Sequence, residues 1–144
     1  MNDKLIEMIK RHEGSKKNKN GRHILYKCPA DKWTCGYGRN AEDVGFSEDE
    51  VELMLQNDIN YAIEILKKIF HNFDDFSDNR QNALIDMIFN LGASRFLLFR
   101  KMIVAIKRGD WEEAANEAKD SKWHNQVGNR AFEIEYLLKE GYNG

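Results

Sequence analysis

The chain has 144 residues, enough for one domain with its own core and no need of disulfide or metal staples. Apolar residues make up 42% and include three Trp and eight Phe, which excludes a disordered chain. The net charge of −2 is uneven: residues 1–40 hold ten Lys/Arg against four Asp/Glu, residues 41–90 three against twelve. A basic amino-terminal region suits an acidic polymer, and it equally suits a solvated surface.

No window is apolar enough for a membrane-spanning helix. The start Met1-Asn2-Asp3-Lys4-Leu5 lacks the apolar stretch of a secretory signal, so the expected place of synthesis is a reducing cytoplasm. Two cysteines, Cys28 and Cys35, make no disulfide framework, and their odd spacing points them to opposite faces of a regular strand. No paired His accompanies them, so a metal site is not expected.

In chain order, residues 3–12 read as a short helix. Leu5, Met8, Ile9 and His12 share a face, Asp3 is the expected cap, and Gly14 the stop. Ser15–Gly21 is a polar loop. Residues 22–38 read as an antiparallel hairpin with His23–Tyr26 and Trp33–Cys35 as strands and a turn over Pro29–Lys32. Ser47-x-x-Glu50 is a capping box opening a helix over 48–70, with Val51, Met54, Leu55, Ile59, Ala62, Ile63 and Leu66 as its stripe. Residues 71–79 read as a loop.

The apolar run Ala83–Phe89, closing at Asn90-Leu91-Gly92, predicts a helix buried on most sides. Helices are expected at 94–107 and 110–119, the latter opened by a box over Asp110–Glu113, and at 129–139. The expected architecture is mostly helical α+β in a single domain over 1–144. A small lobe (13–47) carries the hairpin, and the 48–70 helix joins it to a helical lobe (71–144 plus helix 3–12). A cleft between lobes would admit an extended polymer.

Glu13-Gly14, then Tyr26-x-Cys28, Thr34 and Gly36-Tyr37-Gly38, form a carboxylate at a helix end followed by a Gly-bounded hairpin carrying a hydroxyl. The pattern resembles the phage-type lysozymes, the endolysin family that includes the T-even and lambdoid phage enzymes. Two later blocks extend the resemblance in family order. One is Phe89-Asn90-Leu91-Gly92. The other is Trp111-Glu112-Glu113-Ala114-Ala115 with Ser121-Lys122-Trp123-His124-Asn125-Gln126 and Asn129-Arg130-Ala131.

The resemblance implies a lysozyme-like fold and a monomeric muramidase. Such an enzyme cleaves the β-1,4 bond between N-acetylmuramic acid and N-acetylglucosamine in peptidoglycan and lyses bacteria. It implies no cofactor and no nucleic-acid partner, and a protein that waits in the host cytoplasm until a separate membrane lesion releases it to the wall.

By position, Glu13 corresponds to the catalytic acid, and a helix carboxyl end favours its protonated form. Thr34 corresponds to the hydroxyl that helps hold the attacking water. Cys28 stands where relatives often carry an Asp, and a thiolate there would be base or nucleophile. Packing is the alternative for Cys28, and Asp31 is a rival base. Phe89 and Asn90 correspond to residues lining the sugar cleft, and Arg130 to the arginine that pairs with the catalytic Glu. Trp111 and Trp123 are expected in the core, Gly36 and Gly38 in close backbone approach, and Arg39 in a structural role where relatives have His. A lytic transglycosylase on the same bond, needing one acid/base carboxylate, and a non-catalytic glycan-binding module are the competing readings.

Overall fold

A computed structural model describes residues 2–141; of the expected domain over 1–144, Met1 and residues 142–144 lie outside the described residues. The chain is mostly helical with a small antiparallel sheet, the expected α+β class. It divides into two compact units, one ending at Leu53 and the other beginning at Met54. Among the described residues no helix is long and apolar enough to cross a membrane.

In the first unit, α1 spans Asp3–Glu13. Its cap is Asn2 rather than Asp3: the Asn2 side chain accepts the Leu5 N–H at 3.2 Å, and Asp3 instead places its charge in the first turn. Gly14 ends the helix with φ +63, its N–H donating to the Lys10 carbonyl at 2.9 Å.

The sheet has three strands in the order β1 (Tyr26–Lys27), β2 (Trp33–Cys35) and β3 (Arg39–Asn40). Tyr26 faces Thr34, and Thr34 faces Asn40. The expected hairpin thus gains a third strand, because Gly36 and Gly38 take positive φ and reverse the chain within three residues.

The expected strand at His23–Leu25 is reduced to one bridge, Lys17 to His23. That segment folds on itself instead: the Asn18 side chain accepts the Asn20 and Arg22 N–H groups at 2.9 and 3.1 Å. The expected capping box is present and reciprocal. Glu50 N–H donates to Ser47 Oγ at 3.2 Å, and Ser47 N–H donates to Glu50 Oε1 at 2.9 Å, opening α2 (Glu48–Ile69).

In the second unit, Ala62 and Leu66 of α2 are buried. Part of the expected loop is a 3-10 turn, Phe73–Asp75, tied down by the Gln81 amide donating to the carbonyls of Phe73, Asp74 and Phe76. Helix α3 (Asp78–Leu91) begins earlier than the apolar run, capped by Ser77. It is amphipathic rather than enveloped. Ala83, Leu84, Met87, Ile88 and Leu91 are buried at i, i+3/i+4 spacing, whereas Phe89 is 46% exposed and Asp86 is also outward.

The expected 94–107 helix is two, α4 (Ala93–Phe96) and α5 (Arg100–Lys107). The break lets Phe96 bury fully and Phe99 pack edge-on against Trp123 while Leu98 faces out. Helix α6 (Trp111–Lys119) carries only half of its expected box: Asp110 accepts the Glu113 N–H, while the Glu113 carboxyl shares a hydrogen bond with Glu117 that raises its pKa. The segment after it forms a further short helix, α7 (Lys122–Val127), before α8 (Asn129–Glu140). α8 packs on α3 and α6, with Ala131, Ile134 and Leu138 buried in their shared core.

Candidate active site

Glu13 is the last residue of α1, and its carboxyl lies directly over Gly38, between β2 and β3. A Cβ at Gly38 would fall 2.9 Å from Glu13 Oε2, so any larger residue here would push the carboxyl away. The close backbone approach expected of this glycine is therefore met by the candidate acid itself. Gly36, by contrast, has open space around its Cα; its carbonyl accepts the Tyr26 hydroxyl at 3.1 Å.

Cys28 and Thr34 are brought together. Tyr26 and Thr34 are register partners, and Cys28, two residues after Tyr26, projects from the same face. Pro29 follows Cys28 in a turn closed by the Asp31 N–H donating to the Cys28 carbonyl at 2.8 Å. Asp31 adopts φ +62, which Asp tolerates better than most residues. The Lys32 carbonyl then accepts the Cys28 N–H at 3.0 Å, which closes the hairpin.

The turn has an electrostatic consequence for the thiol. Its sulfur is hydrogen-bonded by backbone at Lys32 and Ala30 and by the Thr34 hydroxyl, which together hold the pKa below the ordinary thiol value against a smaller opposing effect of burial. Thr34 is 3% exposed, and its single hydroxyl proton has two acceptors in reach, the Cys28 sulfur and the Lys32 carbonyl at 2.9 Å. Lys32 lowers the thiol pKa through its backbone, which the hairpin sets opposite Cys28, and not through its ammonium charge. Both cysteines are free thiols.

Asp31, the rival base, is exposed at the turn apex, with the Lys27 ammonium at 3.9 Å. Arg39 has the expected structural role. It forms an ion pair with Glu50 at 2.7 Å and donates to the Gly45 carbonyl at 3.1 Å. This pairing, with the Ser47 hydrogen bonds, holds Glu50 down to about 2. Among the described residues no hydrogen bond joins Glu13 to Cys28 or Thr34; what unites them is the sheet.

Phe89, Asn90 and Arg130 belong to the second unit. Phe89, Asp86 and Arg130 line an open recess of about 380 Å³ together with Leu55, Ile59 and Ile85. The Arg130 guanidinium is held by Asp86, with Nε 2.6 Å from Oδ1 and a second bond to the Asp86 carbonyl. Asp86 was overlooked in the sequence, although it is the one charged residue inside the Ala83–Phe89 run. Asn90 is itself exposed, and its side-chain oxygen accepts the indole N–H of buried Trp123 at 2.9 Å. Trp123 is core, as expected, whereas Trp111 is only partly buried at the edge of that core, against the Phe76 ring and the Arg80 guanidinium. Among the described residues there is no cluster of side chains suited to a metal ion.

A helix-end carboxylate is thus seated on a Gly-turn of a three-stranded sheet, with a hydroxyl and a stabilised thiol on one sheet face. The phage lysozyme family model matches residues 11–135, and the chain belongs to that family. Among its relatives are two proteins of Dictyostelium discoideum, probable T4-type lysozymes 1 and 2. They are 29% and 33% identical over 101 residues, covering 66% of this chain and 58% of each relative. An endolysin of Acyrthosiphon pisum secondary endosymbiont phage 1 is 28% identical over 147 aligned residues, which is 96% of this chain and 90% of the relative. The chain therefore spans less than two thirds of the length of the two amoebal relatives.

Proposed function

We propose that this protein is a peptidoglycan hydrolase of the muramidase type, cleaving between N-acetylmuramic acid and N-acetylglucosamine, with bacterial lysis as its setting. The observation that carries the reading is the seat of Glu13 on Gly38, in the same small sheet that joins Cys28 to Thr34. Glu13 protonates the glycosidic oxygen as the bond breaks. Positive charge develops at the anomeric carbon and is met from the opposite face.

There the Cys28 thiolate takes a proton from a water that the Thr34 hydroxyl helps to place, and that water attacks the anomeric carbon. Backbone N–H groups of the turn keep the thiolate populated nearer neutrality than an ordinary thiol. The endolysin relative supports the setting.

The test is wall-lysis rate against pH for Cys28→Ala, Cys28→Ser and Cys28→Asp, beside Glu13→Gln. Glu13→Gln abolishes turnover. Cys28→Ala loses at least ~100-fold, the scale of an acid–base group. Cys28→Asp keeps activity and extends it to lower pH. Equal rates for the three Cys28 variants would reduce Cys28 to packing. Product ends that are 1,6-anhydro rather than reducing would replace hydrolysis by transglycosylation.

A further inference from the structure

The segment that rises between Glu13 and β1 has no part in that chemistry. From Gly14 to Ala30 the chain carries Lys16, Lys17, Lys19, Arg22 and Lys27 and no Asp or Glu. It is ordered as a small finger. Ile24 N–H donates to the Lys16 carbonyl and Asn18 N–H to the Arg22 carbonyl, both at 2.9 Å, and Gly21 turns the tip at φ +81. Lys16, Lys17, Lys19 and Arg22 are all exposed, and none has an ion-pair partner among the described residues. Lys27 differs, lying over the Trp33 ring and beside Asp31.

The finger is fastened to the catalytic turn. Ser15 Oγ and His23 Nδ1 are 2.6 Å apart, and the His23 ring meets the Tyr37 ring edge-on at 5.5 Å. Tyr37 lies between Gly36 and Gly38, so the root of the finger adjoins the backbone on which Glu13 sits. An anion held by the finger is therefore in the same unit as the site. In peptidoglycan that anion is built into the substrate, because each muramic acid bears a peptide with free carboxylates.

We infer that the finger formed by Lys16, Lys17, Lys19 and Arg22 binds the stem-peptide carboxylates of the glycan strand being cleaved. The finger then discriminates peptide-bearing from bare glycan. This rests on the muramidase reading and assigns a substrate feature to that site. Exposed charges act over a Debye length of about 10 Å at 0.1 M salt, so the effect fades as salt rises.

The experiment compares wild type with a K17Q/K19Q/R22Q variant on two substrates. One is wall extracted free of phosphate polymers but keeping its peptides; the other is the same wall with the peptides removed by an amidase. The replaced side chains make none of the finger's internal bonds, and an unchanged melting temperature checks that the finger survives. The ratio of kcat/KM on peptide-bearing wall to that on bare glycan should fall roughly tenfold at low salt, about twofold per exposed charge. It should approach the wild-type ratio at high salt, and a K17R/K19R/R22K variant should retain it throughout. An unchanged ratio, or equal losses on both substrates, overturns the inference. So does a loss seen only on walls that still carry phosphate polymer. A wild-type protein inactive on both substrates sinks the muramidase reading and this inference with it.

Discussion

Replacing Gly38 by Ala separates backbone strain from displacement of the candidate acid. Gly38 and Gly36 both have positive φ, +87 and +57, so alanine at either position carries a similar left-handed penalty, about 1–2 kcal/mol. For a chain of this size that corresponds to a melting shift of roughly 2–8 °C. Only at Gly38 does the new methyl meet Glu13, at 2.9 Å from Oε2, 3.1 Å from Cδ and 3.4 Å from Cγ; nothing lies within 4 Å of a Cβ at Gly36.

Restoring ordinary contact from 2.9 to 3.4 Å requires Glu13 to retreat by about half an ångström. A catalytic group must be held within roughly 0.5 Å, and a 1 Å error can cost on the order of 10²-fold in rate, so a retreat of half that size is worth about 10-fold. G38A is therefore expected to lose about 10-fold in wall lysis, whereas G36A loses less than roughly threefold. The assay is turbidity clearing well below both melting temperatures, with circular dichroism fixing the folded fraction. Equal rates for folded G36A and G38A would refute the reasoning that the seat on Gly38 positions the acid.

Asn90→Ala strands the indole N–H of buried Trp123 and should destabilise the second unit by about 1–3 kcal/mol in urea unfolding, whereas Asn90→Asp keeps an acceptor and loses less. Thr34→Val preserves volume but removes the hydroxyl that favours the thiolate. The pH midpoint for alkylation of Cys28 should then move upward, and an unmoved midpoint would exclude Thr34 as its partner. Glu50 sits near 2 in the folded protein against an ordinary 4.5, so the charged form is the one that the fold favours. Its contribution is complete above about 4.5 and is lost as pH falls towards 2; Glu50→Gln should flatten that acid limb of the stability curve.

Several local features were legible in the sequence because their partners are close along the chain. The Ser47/Glu50 box, the stop at Gly14 and the turn at Pro29 each need only a few residues to declare themselves. β3 was not legible, because two residues give no periodicity and the pairing depends on the Gly36 and Gly38 dihedrals. The division of residues 94–107 into two helices was hidden for another reason: apolar spacing there was helical throughout, and the break goes with burial of Phe96 and the edge contact of Phe99 on Trp123. In the site, Glu13 and Thr34 came from motif spacing. The lowered thiol of Cys28 depends on where the Lys32 and Ala30 backbone lies, and Asp86 reaches Arg130 across 44 residues.

Glu50 belongs to two elements at once, since one carboxylate closes the first turn of α2 and clamps Arg39 of β3. Fraying of that helix start and separation of the third strand are thereby a single event. Neither can open without releasing the same ion pair. In native-state hydrogen exchange the Glu50 amide and those of β3 should share one opening free energy, and Glu50→Gln should split it into two. The acid's glycine seat, one residue before Arg39, inherits whatever rigidity that shared opening sets.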